Sequence, residues 1–200
     1  MRTMQIENNT WHIFEFSKPF LTDLDDRSGA VFDFFVEQLN HWTYTLGDDI
    51  RYYISTTSLG ESLTFQIEKN LSEQNRCWLN LIKNGDDTLG VVLLSERNHE
   101  PIFENENERP LKKIYIDDIV VNPDLLSRGI GKEILGTILD DLKLITGIEQ
   151  IDGIYCSIKE DNERSLGLFK KFGFVGTGIK KYGMETFFRS MDKPDKARTK

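Results

Sequence analysis

Between Leu111 and Glu160 the chain runs through a β-branched apolar stretch, "LKKIYIDDIVV", and a turn with two glycines one residue apart, Gly129 and Gly131. A long amphipathic run and a second apolar stretch, "QIDGIYCSIKE", follow. This strand–helix–strand order is the strongest constraint in the sequence. A helical crossover joins parallel strands, whereas tight hairpins join antiparallel ones. The hairpins lie on either side. "CWLNLIK" (77–83) and "TLGVVLLSE" (88–96) flank "NGDD", whose Asn-Gly pair supplies the positive φ values of a tight turn. "FVGTGIKKY" (174–182) and "METFFRSM" (184–191) close the chain as two further strands. A mixed sheet flanked by helices follows, with the order β–β–β–α–β–α–β–β from Arg76 onward.

The helices are read from spacing. Ile130, Ile134, Leu135, Ile138, Leu139, Leu142 and Ile145 share one helical face, and Gly147 stops it. "NERSLGLFKKF" (162–172) is a shorter helix ended by Gly173. "GESLTFQIEKNLSEQ" (60–74) places Leu63, Ile67 and Leu71 four apart. "AVFDFFVEQLNHWTYTL" (30–46) spaces Val31, Phe34, Phe35, Gln38, Leu39 and Trp42 as another helix, its aromatic stripe belonging to the core. "TWHIFEFS" (10–17) alternates imperfectly and reads as an edge strand. Residues 47–59 are ambiguous, and 97–110, with four glutamates and two prolines, is a loop. The expectation is one α/β (α+β) domain over 1–190 with a charged tail over 191–200.

Composition narrows the function classes. A net charge of −8, from 25 Lys+Arg against 33 Asp+Glu, argues against a nucleic-acid scaffold and mildly favours a cationic partner. No apolar run reaches the roughly 20 residues of a membrane span. The N-terminus lacks a signal-peptide core, so a cytoplasmic protein with no membrane partner is expected. Cys77 and Cys156 show no CxxC spacing, and His12, His41 and His99 are scattered, so no metal site is expected.

The glycine turn is suited to an anion. Missing Cβ atoms let a ligand reach the main chain, and the first N–H groups of the helix lack intrahelical partners. A tight corner with no ligand would also explain it. Two nucleotide motifs fail. The dinucleotide fingerprint needs a third glycine where Ile134 stands, and the P-loop needs Ser or Thr where Glu133 follows Lys132.

A third pattern fits. "YIDDIVVNPDLLSRGIGKEIL" resembles the acetyl-CoA-binding motif of the GNAT N-acetyltransferase superfamily, [QR]-x-x-G-x-[GA] between a strand and a helix. Leu126 occupies the Gln/Arg position, and Ser127, Arg128, Gly129, Ile130 and Gly131 complete the turn. "NERSLGLFKKFGF" (162–174) is similar to the family's later helix and strand, N-x-x-[AS]-x-x-[FLY]-Y-x-x-x-G-F, through Asn162, Ser165, Gly173 and Phe174. The resemblance covers about residues 76–190 and implies a splayed parallel pair of strands, 114–121 and 151–158. The first 75 residues would hold the family's first strand and two helices.

What the resemblance implies is an acetyl-CoA-dependent N-acetyltransferase working by direct amine attack. Pyrophosphate would rest on Leu126–Lys132, with Arg128 and Lys132 as cations. Pantetheine would pair with Ile119, Val120 and Val121, and an N–H at or beside Val121 would face the thioester oxygen. A well-aimed donor of that kind contributes about 3 kcal/mol. Asn162 would hold the pantetheine arm, with Ser165 and Phe169–Lys170 near its sulfur and adenosine ends. Asp117 and Asp118 are the candidate proton acceptors, in a pattern similar to that of spermidine/spermine and streptothricin acetyltransferases. Strand alternation lets one of them face the cleft, and Asp117 is favoured because Tyr115 shares its face.

Phe169 stands where many members carry a tyrosine, and phenylalanine cannot donate a proton. The thiolate would leave unaided, or Tyr115, Tyr182 or Cys156 would substitute, or the protein would bind acyl-CoA without turnover. Cys156 has no histidine placed to make it a nucleophile. The acceptor is a small, cationic amine or a protein amine. Homodimers are common in the family, so one is an open expectation.

Overall fold

A computed structural model describes residues 2–16, 59–97, 102 and 111–191. The strands are β1 (Arg2–Ile6), β2 (Asn9–Phe16), β3 (Arg76–Asn84), β4 (Asp87–Glu96), β5 (Lys113–Val121), β6 (Gly153–Lys159), β7 (Val175–Lys181) and β8 (Met184–Ser190). The helices are α1 (Leu59–Ser72), α2 (Ile130–Thr146) and α3 (Glu163–Lys171). The strands form a mixed sheet in the order β1-β2-β3-β4-β5-β6-β8-β7. This is the mixed sheet, with one parallel pair among antiparallel strands, that the sequence implies. The helix expected over 30–46, the ambiguous 47–58 and the acidic loop past Arg97, apart from Ile102, lie outside the described residues.

The chain divides into two compact units. The first comprises Met1–Leu93 and Asp118–Gly131. Its N-terminal hairpin is new relative to the sequence reading. Ile6 pairs with Asn9 across a two-residue turn in which Glu7 takes φ 54°. β2 therefore lies between β1 and β3 rather than at an edge. Its imperfect alternation now has a cause: Trp11 and Ile13 are buried on one face, and Phe14 and Phe16 on the other. Phe14 and Phe16 join Leu63, Ile67 and Leu71 of α1, Cys77, Leu79 and Leu81 of β3, and Val91 and Leu93 of β4 in one cluster. Leu63, Ile67 and Leu71 are each at most 2% exposed, and each contributes about 1.5–3 kcal/mol by leaving water. Val120, near the end of β5, packs on this cluster and anchors the strand that leads into the glycine turn.

The second unit comprises Leu94–Asp117 and Lys132–Lys200. α2 buries the expected stripe, Ile134, Leu135, Ile138, Leu139, Leu142 and Ile145, and Gly147 follows it at φ 71°. β5 and β6 pair in parallel from Lys113–Gly153 to Ile116–Cys156. β6 then pairs antiparallel along its whole length with β8, and β7 hangs on β8 at the edge. Gly153 lies close against β8 at the β6–β8 seam. A Cβ there would stand 2.1 Å from the Phe188 ring.

Candidate functional site

In the first unit, β5 ends in a pinned exit. Asn122 donates its backbone N–H to the Leu89 carbonyl (2.9 Å) and its side-chain amide to the Thr88 carbonyl (2.9 Å). Its side-chain oxygen accepts from the Asp124 N–H (3.0 Å), starting a 3-10 turn over Pro123–Leu125. The Leu126 N–H closes that turn onto the Pro123 carbonyl (3.3 Å), and the Arg128 N–H reaches the Leu125 carbonyl at 3.4 Å. Leu126 and Arg128 thus spend their N–H groups on the shape of the loop. Ser127 at φ 66° and Gly129 at φ 86° turn the chain, and residues 127–129 are exposed. A positive φ on serine costs about 1–2 kcal/mol.

The donors that remain for a ligand are those of the first helical turn, Gly129, Ile130, Gly131 and Lys132, which precede any intrahelical carbonyl. A Cβ built on Gly129 would meet nothing within 4 Å, so the backbone there faces open space. The helix dipole adds about half a positive charge at the same place. A phosphate-sized anion fits this arrangement. Of the candidates ahead of it on β5, Ile119, Val121 and Asp118 are half-buried, and Val120 packs against the core.

In the second unit the candidate residues Tyr115 and Asp117 meet two side chains that sequence reasoning passed over. Asp117 accepts from the Ser95 hydroxyl (2.6 Å) and from a terminal nitrogen of Arg97. The Arg97 Nε donates to the same Ser95 oxygen (3.0 Å). The pair is buried, with side-chain exposures of 9% for Arg97 and 2% for Asp117. The Arg97 guanidinium lies 4.1 Å from the centre of the Tyr115 ring, so Tyr115 and Asp117 do share a face. Asp117 is occupied there as a counter-ion, with both carboxylate oxygens accepting. The two residues missed stand two positions apart, Ser95 near the end of an apolar strand and Arg97 one residue past it. That spacing hints at one face, but the β5 partner is visible only in three dimensions.

Tyr115 stacks at 4.8 Å, tilted by 52°, on Tyr155, its partner across the parallel ladder. The Tyr155 hydroxyl donates to the Arg97 carbonyl (3.4 Å). Burial pushes the Tyr115 phenol up to about 12, and the Asp117 charge adds to this. A hydrogen bond from Ser157 and the Arg97 charge oppose it. Burial also pushes the Cys156 thiol well up, which makes it an inert thiol. Tyr182 is 93% exposed in the β7–β8 turn, at φ 54°.

On α3, Asn162 is the N-cap. Its side-chain oxygen accepts from the Ser165 N–H (3.1 Å). Phe169 is 7% exposed and meets Phe174 edge-on at 4.9 Å. Phe169 is therefore an apolar packing position.

Comparison with known proteins agrees with this geometry. Residues 36–174, more than half of the chain, match the model described as the acetyltransferase (GNAT) family. An uncharacterized protein of Mycobacterium leprae is 25% identical over 113 residues, which are 56% of this chain but 27% of that protein. The chain thus spans about a quarter of that relative's length. Among solved structures, a bacterial toxin superposes with a TM-score of 0.54 at 11% identity, over 90% of each chain. A protein of Desulfovibrio desulfuricans assigned to the GNAT family superposes with a TM-score of 0.52 at 11% identity, over 90% of this chain and 99% of that one. At such identities the superpositions speak for the fold alone.

Proposed function

The chain belongs to the GNAT acetyltransferase family, and from that membership we propose that it transfers the acetyl group of acetyl-CoA to a primary amine of a small molecule or a protein by direct attack. Acetyl-CoA is the co-substrate and supplies an activated thioester. The observation that carries the reading is the glycine turn. Gly129, Ile130, Gly131 and Lys132 present N–H groups with no intrahelical carbonyl to meet at a helix N-terminus, beside exposed backbone at Gly129 that has open space before it. These residues, with the Lys132 and Arg128 side chains, would hold the pyrophosphate.

Ile119, Val120 and Val121 would pair with the pantetheine arm. A main-chain N–H at or beside Val121 would aim at the oxygen on which charge develops. The Asn122 N–H is not that donor, because it is committed to Leu89. Asn162 and Ser165 keep a proposed role in holding the arm, with Asn162 using its amide nitrogen because its oxygen caps α3.

Amine attack requires an acceptor for the amine proton and is helped by a donor for the leaving sulfur. Of the acidic pair, Asp117 shares the face of Tyr115 and is engaged by Ser95 and Arg97, and Asp118 is half-buried; one of the two is the proposed proton acceptor. Tyr115 is the proposed donor, in place of the tyrosine that Phe169 replaces. The acceptor is proposed to be cationic, on the strength of the net charge of −8 alone.

The test is thiol release from acetyl-CoA across a panel of polyamines, aminoglycosides and peptide amines between about pH 7 and 9. Release that depends on one class of amine, and that falls at least about tenfold in Asp117→Asn or in Asp118→Asn, is the expected result. Tight CoA binding with no release for any amine would leave an acyl-CoA-binding protein in place of an enzyme.

A further inference from the structure

The buried cluster at Tyr115 contains more than the proposed reaction has used. A desolvated ion pair is costly to hold and is often no better for stability than apolar residues of similar volume. Arg97 and Asp117 nevertheless form one at 9% and 2% side-chain exposure, reinforced by the Ser95 hydroxyl, which bonds to both partners. What the pair holds in place is the Tyr115 ring. The guanidinium covers one part of it at 4.1 Å, and Tyr155 meets it at 4.8 Å. Tyr155 is itself tied back to the Arg97 carbonyl at 3.4 Å. Ser157, one residue past the last paired position of the parallel ladder, bonds to the phenol oxygen.

We propose that Arg97 is a positioning residue for acetyl transfer: fixed by Asp117 and Ser95, it clamps the Tyr115 ring and thereby sets the direction of the Tyr115 hydroxyl. The proposal deepens the assignment of Tyr115 as donor and rests on it. A guanidinium is suited to the task, because its planar fork can bond a carboxylate and a hydroxyl at its edge while its face lies on an aromatic ring. Lysine carries the charge but has no face to stack.

The groups that bear on Tyr115 make the clamp measurable without any turnover. Arg97 and Asp117 act on the phenol in opposite directions, Cys156 and Asp117 in the same one, and Ser157 through its hydrogen bond. The experiment is a pH titration of the Tyr115 ring-carbon resonance in the labelled full-length chain, with kcat and KM for acetyl-CoA measured in parallel. Asp117→Asn leaves the cation against the ring, so the phenol titrates at lower pH than in the wild type. Arg97→Gln leaves the anion, so it titrates higher. In Arg97→Lys, kcat falls by roughly ten- to a hundredfold from misplacement of the hydroxyl, while KM for acetyl-CoA holds.

Where the single variants fold poorly, the double variant Arg97→Leu with Asp117→Leu removes both charges. It is expected to fold and to show the same loss in kcat. Shifts of equal sign in Asp117→Asn and Arg97→Gln would overturn the clamp, as would full kcat in the double variant. A wild-type protein with no amine-dependent thiol release overturns instead the reading on which the clamp rests, and the resonance titration still reports whether Arg97 and Asp117 bracket the ring.

Discussion

At Tyr115 burial acts on a neutral acid, and the sign of the consequence can be worked out. The phenol is raised from its ordinary 10.0 to about 12 in the folded chain. Between these values the unfolded chain loses the tyrosine proton and the native chain keeps it. Unfolding then releases a proton, so stability falls as pH rises through this window, and below about pH 10 Tyr115 adds no slope. Two units correspond to about 2–3 kcal/mol at most, and partial solvent access at a half-buried ring reduces it. Tyr115→Phe removes this dependence. Urea melts at pH values from about 9 to 11.5 should show the wild type losing its advantage over Tyr115→Phe as pH rises; parallel curves would remove the buried phenol from the account. Lysines titrate in the same range in both proteins and cancel in the difference. The same scale explains what the sequence concealed. Adjacent aspartates in a strand are easy to see and their opposite facing is easy to infer. The partner that Asp117 meets on its face, Arg97, twenty positions earlier, is what the strand pattern does not show.

Among elements, legibility followed the strength of local punctuation. The turn at Gly85–Asp86, with the positive φ on Gly85 alone, the helix stops at Gly147 and Gly173, and the apolar stripe of α2 were all readable, because each depends on φ preferences or spacing within one element. β1 was not readable. Its turn, Glu7–Asn8, puts the positive φ of 54° on Glu7 rather than on the asparagine beside it, and β2 was accordingly given an edge. The insertion of β8 between β6 and β7 is equally silent in the sequence, since a hairpin fixes which strands pair but not which of the two meets the rest of the sheet. Gly153 is the residue that records that choice. A Cβ on it would lie 2.1 Å from the Phe188 ring and 3.1 Å from the Arg189 carbonyl on β8. The ring can swing, because Phe188 is half-buried, whereas the carbonyl belongs to the ladder. Gly153→Ala should therefore cost about 1–3 kcal/mol by overpacking, read as a lower urea midpoint. Phe188→Ala in the same background should cost less than it does in the wild type. Additive losses would show that the ring is not what the glycine accommodates.

For the molecule as a whole, family membership and the glycine turn lead to a linkage argument. A ligand that binds the native chain and not the unfolded one stabilises it by about 2.7 kcal/mol at a hundredfold excess over Kd. For a chain of 200 residues that is a rise in Tm of roughly 5–10 °C. CoA should produce this rise. ATP and NAD should produce less, because the third glycine of a dinucleotide site and the hydroxyl of a P-loop are replaced by Ile134 and Glu133. Gly129→Val separates binding from fold. Its backbone sits at φ 86°, where a branched side chain is strained by about 1–2 kcal/mol, so the ligand-free Tm should drop by a few degrees. The new side chain would also project into the open space before Gly129, which is the approach the proposed pyrophosphate needs, so the CoA-induced rise should shrink well beyond that drop. A variant that keeps the full CoA rise would move the anion site away from this turn. An ATP rise larger than that of CoA would count against acetyl-CoA as the native co-substrate, whatever the fold.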